Sequence, residues 1–200
     1  MTETTRGLIM TRTFATLAAA VLAIGSALPA AAQDAEAEAL AMLEEAIPGT
    51  LLHNPINSQW SPGGNDLKSK VVDATGLPTG QAIQTKVKKK QKNGWDTQIA
   101  LPITEEIKAG DKVRVIYFVR TVTPPKDAEA ADMALFLGRK VEPYDSVIFH
   151  EFKPGTEWEQ KVVEGVANAD FPADSVKMEY HLGRAKQTVE IGPVYVSRID

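Results

Sequence analysis

The chain has no cysteine. That excludes disulfides, thiolate catalysis, cysteine-based zinc sites and iron–sulfur clusters, so a hydrophobic core must hold the fold. At 200 residues one core is sufficient. Histidine is scarce, with only His53, His150 and His181, widely separated. His150-Glu151 begins like the zinc-protease pattern H-E-x-x-H, but Pro154 stands where the second histidine belongs and the segment alternates like a strand. There is no G-x-S-x-G elbow, phosphate loop or dinucleotide fingerprint. A pair of catalytic carboxylates is a matter of geometry that no spacing reveals, so a small hydrolase or lyase remains the enzymatic alternative. Nor is there an excess of positive charge. Lys and Arg number 22 against 26 Asp and Glu, a net charge of −4, and a nucleic-acid partner would want a basic face. Beyond the N-terminus no apolar run reaches the length of a membrane span.

The N-terminus has the pattern of a secretory signal peptide over residues 1–32. Arg6 and Arg12 are its basic region, Phe14 to Leu28 its apolar run and Ala30-Ala31-Ala32 its cleavage site, with Gln33 as the mature start. Either Met1 or Met10 initiates. Removing Glu3, Arg6 and Arg12 leaves the mature chain at −5, an exported protein without a membrane span, periplasmic or extracellular. Residues 33–49 form a leader. Its Asp34 to Ile47 stretch reads either as a helix, with Leu40, Leu43 and Ile47 as a narrow apolar stripe, or as a frayed connection. Pro48-Gly49 ends it. Residues 50–200 form one domain.

That domain alternates. Thr97, Ile99, Leu101 and Ile103 interleave with Asp96, Gln98, Ala100 and Pro102; Val113, Val115, Tyr117 and Val119 interleave with Arg114, Ile116, Phe118 and Arg120. A period of two sends successive side chains to opposite sheet faces. The two segments read as a pair of neighbouring strands joined through a Gly110-Asp111 turn. The Val/Tyr face of the second is core, and its Arg/Ile/Phe face is half covered or binding. Further strands are expected at 51–55, 67–72, 81–87, 133–138, 146–152, 158–164, 175–182 and 188–198. Loops are expected at 57–65, with Trp60, Pro62, Gly63 and Gly64, and at 123–132. Strands of this length between turn signals predict an all-β sandwich or barrel. Lys86, Lys88, Lys89, Lys90 and Lys92 form a basic run: either a patch for an acidic polysaccharide or a membrane surface, or an exposed, charged edge that resists strand addition.

Five segments, taken in order, resemble the carbohydrate-binding modules with a galactose-binding-like jelly roll that are appended to secreted xylanases and related glycoside hydrolases. They are Gly94-Trp95-Asp96-Thr97-Gln98-Ile99, Ile107-Lys108-Ala109-Gly110-Asp111, Ile116-Tyr117-Phe118-Val119-Arg120, Trp158-Glu159-Gln160, and the closing pair His181-Leu182-Gly183 with Gln187 to Val194. The resemblance runs from about Leu51 to the C-terminus and implies a jelly-roll β-sandwich. It also implies a non-catalytic function, holding an oligo- or polysaccharide in a shallow groove. Aromatic rings would cover the C–H face of a sugar, and amide or charged groups would meet its hydroxyls. Arg120, Trp95 and Gln187 are the first candidates, then Gln98, His181 and Trp158. Each has a structural alternative: a salt bridge for Arg120, rim packing for Trp95 and Trp158, backbone satisfaction for Gln187, and core for Phe118. The family often carries a structural calcium on acidic residues after the first strand and in the last one. This chain has His53-Asn54-Pro55-Ile56-Asn57-Ser58 and Gly192-Pro193 there, so no cofactor is expected and the fold is expected to stand without the ion. The alternative function is a structural or interaction sandwich with a protein partner and no sugar site, motivated by a supply of only three Trp and four Tyr.

Overall fold

The computed structural model describes residues 29–56 and 60–199. The signal peptide expected over residues 1–32, apart from its last four residues, lies outside them. Among the described residues no helix is long and apolar enough to cross a membrane. Among the described residues a helix α1 (Pro29–Ala46) is followed by eleven strands: β1 (Thr50–Leu51), β2 (Ser61–Gly64), β3 (Leu67–Asp73), β4 (Gln81–Val87), β5 (Thr97–Ile103), β6 (Lys112–Thr123), β7 (Met133–Arg139), β8 (Ser146–Phe152), β9 (Glu159–Val166), β10 (Val176–His181) and β11 (Gln187–Ile199). They form two antiparallel sheets. Sheet A has the order β3-β4-β11-β6-β9, with β1 added on β11; sheet B has the order β2-β5-β10-β7-β8.

The alternation places the core as expected. Ile99, Leu101 and Ile103 of β5, Val113, Val115, Tyr117 and Val119 of β6, and Val176, Met178 and Tyr180 of β10 meet between the sheets, all fully or nearly fully buried. Strand β11 supplies Val189 and Ile191, then Val194 and Val196. That change of parity is made by a bulge between Ile191 and Val194, where Gly192-Pro193 inserts the extra residue.

Three expectations are corrected. First, β5 and β6 do not pair. β5 lies between β2 and β10 in sheet B, and β6 between β11 and β9 in sheet A. The Ala109-Gly110 segment is a crossover, tied by Ile107 to Phe171 and by Gly110 N to Ala167 O at 2.8 Å. Second, Ser61–Gly64 is a strand within the expected loop. It can hold Pro62 because β2 is an edge strand and needs to donate on one side only. Gly64 has φ +93, and a Cβ there would meet Asp96 O at 1.9 Å, so only glycine fits. Third, Gly94–Asp96 is a 3₁₀ turn before β5. Asp96 accepts from the backbone N–H of Asn93 at 2.9 Å and from its side-chain amide at 3.3 Å.

The second core decides the leader's fate. Leu43 and Ile47 of the α1 segment bury against Ile116, Phe118 and Tyr195 on the outer face of sheet A, with Leu40 and Trp158 partly buried beside them. Each aliphatic side chain so covered contributes about 1.5–3 kcal/mol. The leader is therefore a helix, and the Arg/Ile/Phe face of β6 is half covered by it.

Candidate functional site

The outer face of sheet B carries a groove of about 540 Å³, lined by Trp95, Gln98, Phe136, Tyr144, Ser146, Phe149, Lys177, Glu179 and His181. Its floor is the solvent side of β10. Alternation sends Val176, Met178 and Tyr180 into the core and leaves Lys177, Glu179 and His181 in a row on the other side. Register sets what flanks each. His181 lies between Gln98 and Ala134, Glu179 between Ala100 and Phe136, and Lys177 between Pro102 and Gly138. Ala134, Ala100 and Gly138 beside the central charged row leave room above it. The walls are aromatic: Trp95 from the 3₁₀ turn, Tyr144 from the β7–β8 connection and Phe149 from β8, which are 59%, 60% and 56% exposed.

The floor is electrostatically closed. Glu179 is buried, yet Lys177 Nζ stands 2.6 Å from its Oε1 and His181 Nε2 3.3 Å from its Oε2. Burial alone would raise its pKa; the contacts with His181 and Lys177 outweigh burial and hold the carboxyl below its ordinary value. The imidazole of His181 is stacked on Phe136, with centroids 5.7 Å apart, and Trp95 meets it edge-on at 6.2 Å. One end is braced by Arg184, which donates to Asp132 and to Glu151, both at 2.6 Å.

The structure thus brings together Trp95, Gln98 and His181 and sets the other three candidates apart. Arg120 is on the outer face of sheet A, donating to the buried Glu190 at 2.6–2.7 Å and lying over the Trp158 ring at 4.8 Å. Trp158 packs beside the helix-covered cluster. Gln187 is buried and clamps the backbone: its Oε1 accepts from Asp132 N at 2.7 Å, and its Nε2 donates to Asp132 O at 2.8 Å and Leu182 O at 3.1 Å. Lys177, Glu179, Phe136, Tyr144, Ser146 and Phe149 are lining residues that the sequence reading did not single out. The signal for the first two was present, a charged row on a strand whose other face is wholly apolar.

Among the described residues no group of three or more acidic or histidine side chains could hold a metal. His53, in the segment after the first strand that lacks the family's acidic residue, is buried and accepts the Val196 N–H at 3.2 Å.

No family model matches the chain, and no curated protein matches it in sequence. Solved structures do. The second N-terminal cellulose-binding domain of Cellulomonas fimi β-1,4-glucanase C is similar with a TM-score of 0.53 at 18% identity, over 77% of this chain and 94% of that one. A carbohydrate-binding module of family 4 gives 0.52 at 12%, over 70% and 86%. The N-terminal tandem of two family 22 modules from Paenibacillus barcinonensis Xyn10C gives 0.54 at 14%, over 76% of this chain and 46% of that one. The fold is that of the jelly-roll carbohydrate-binding modules.

Proposed function

We propose that the protein is an exported, non-catalytic module that holds an oligo- or polysaccharide in the groove of sheet B. One observation carries this reading: three large aromatic side chains, Trp95, Tyr144 and Phe149, stand exposed around a floor of amide, ammonium, carboxylate and imidazole groups. Apolar rings in water are costly to leave bare, and here they surround the kind of hydrogen-bonding groups that a hydroxyl belt needs. The cellulose-binding domain and the family 4 and family 22 modules sharing this fold support it. Glycoside hydrolysis takes two carboxyl groups. The groove lining includes one, Glu179, and its ion pairs favour the charged form over an acid.

The ligand class is neutral. A buried carboxylate already paired with Lys177, with Gln98 beside the neighbouring His181, offers acceptors and donors to hydroxyls, with little uncompensated charge for an anion in the groove itself. The test is a glycan array followed by calorimetry on plant, algal and bacterial glycans. Binding that weakens about tenfold in Trp95→Ala supports the groove; silence across the array overturns it.

A further inference from the structure

We propose that the β3–β4 corner of sheet A is a second binding surface, for an anionic polysaccharide with carboxylates or sulfates along its chain. It goes beyond the groove and sits on the other sheet. Residues 66–92 hold seven lysines, Lys68, Lys70, Lys86, Lys88, Lys89, Lys90 and Lys92, against two aspartates, Asp66 and Asp73. That is a balance of +5 in a chain whose net charge is −4, so the rest of the protein is at −9.

The fold gathers the strand lysines on one side. Lys68 and Lys86 are directly opposite one another in the β3–β4 register, both exposed. Both point away from the core that takes Val87, and Lys70 follows Lys68 on the same side, about 7 Å along the strand. The connection after β4 is pinned beside them: Lys88 N donates to Asp66 O at 2.8 Å, and Gln91 N to Gly183 O at 2.8 Å. Among the described residues only Lys89 of the seven has a salt bridge, 2.9 Å to Asp66. Asp66 has its pKa lowered by hydrogen bonding to Lys89 first, with Lys88 adding to the field.

Guarding an edge strand takes a lysine or two on the edge itself. It does not call for a directly opposed lysine pair, which costs stability, nor for four more lysines in the following turn. An array of exposed ammonium groups on a pinned backbone is matched by a polymer carrying regularly repeated anions. A lipid surface would want apolar side chains beside the lysines to enter the headgroup layer. The one large exposed apolar residue on β3 is Val71, and alternation turns it to the opposite side from Lys68 and Lys70.

The experiment is affinity electrophoresis at low ionic strength through gels containing polygalacturonate, dextran sulfate or uncharged dextran, with co-sedimentation on phosphatidylglycerol–phosphatidylcholine vesicles in parallel. Retardation by either polyanion and not by dextran is expected, weakening steeply with salt. Lys68→Gln with Lys86→Gln should lower affinity about tenfold, since adjacent charges facing one anionic surface act together. Lys112→Gln with Lys126→Gln, the same charge loss elsewhere, should leave it unchanged, as should Lys68→Arg with Lys86→Arg. Trp95→Ala should also leave it unchanged, which separates failure here from failure of the groove. No retardation, retardation equal in the Lys68/Lys86 and Lys112/Lys126 variants, or binding to vesicles alone would each overturn the proposal.

Discussion

Phe136 lies flat on the imidazole of His181, with centroids 5.7 Å apart and planes 17° apart. The stack fixes the ring whose Nε2 faces Glu179, so the polar floor of the groove is preset before any ligand arrives. Preorganisation of this kind lowers the entropy lost on binding. Glu179→Gln should therefore affect folding and binding together. Lys177 is left without its carboxylate, and because that ammonium can still reach solvent the cost in stability should be about 1–3 kcal/mol, below that of a fully buried broken pair. The sign with pH follows from the depressed carboxyl. Its stabilisation is full above the ordinary carboxylate range and is lost as acid carries the pH down through the lowered folded value. Urea melts across the acid range should show a shallower loss for Glu179→Gln than for the parent; identical slopes would remove Glu179 from the account.

The aromatic wall gives a prediction free of folding effects. Trp95 and Phe149 are more than half exposed, so Trp95→Ala and Phe149→Ala should each leave the melting temperature within about 2 °C. Each should weaken glycan binding about tenfold, the value of one lost ring contact in a desolvated groove. Calorimetry with the best glycan from the array reads this. A variant that keeps full affinity would show that its ring is not in the site.

Arg120 provides the contrast. Its guanidinium neutralises Glu190, which is buried and also accepts from Gln84 Nε2 at 2.7 Å. Arg120→Met leaves that carboxylate buried without its cation, at a cost of about 3 kcal/mol. Glycan affinity, measured below the lowered melting temperature, should be unchanged because Arg120 serves the outer face of the other sheet. Loss of affinity with unaltered stability would reverse the assignment.

The strands were legible because one face of nearly every one is apolar, and burial enforces a period of two. Pairing was not. Thr97–Ile103 and Lys112–Thr123 alternate equally well as hairpin partners or as strands of facing sheets, and periodicity names the buried face without naming the neighbour. That gap also hid much of the site. Gln98 and His181 were identified singly, but that they lie directly opposite, with Lys177 and Glu179 continuing the row, depends on β5 and β10 being adjacent. Phe149 on its strand and Tyr144 in the turn before it were not singled out, since exposure cannot be read from residue type. Arg120 and Gln187 were candidates through the segments that resemble the carbohydrate-binding modules, and the partners that explain them, Glu190 and Asp132, come from strand pairing and from a distant loop.

His53 makes the last prediction. It follows β1, is buried, and its Nε2 accepts the Val196 N–H at 3.2 Å, which requires a neutral ring. Desolvation dominates and lowers its pKa from 6.5 to about 4, against weaker opposing backbone hydrogen bonds. At neutral pH neither the folded nor the unfolded chain protonates this ring. Between pH 6.5 and about 4 only the unfolded chain takes up the proton, so stability falls as the pH falls. The full loss by pH 4 is about 3 kcal/mol from this one group. His53→Gln keeps an acceptor for Val196 and has nothing to titrate. Its stability should be nearly flat from pH 7 to pH 4.5 where the parent declines, and denaturant melts at three pH values in that window suffice. Parallel declines in the two proteins would mean that other groups carry the acid sensitivity.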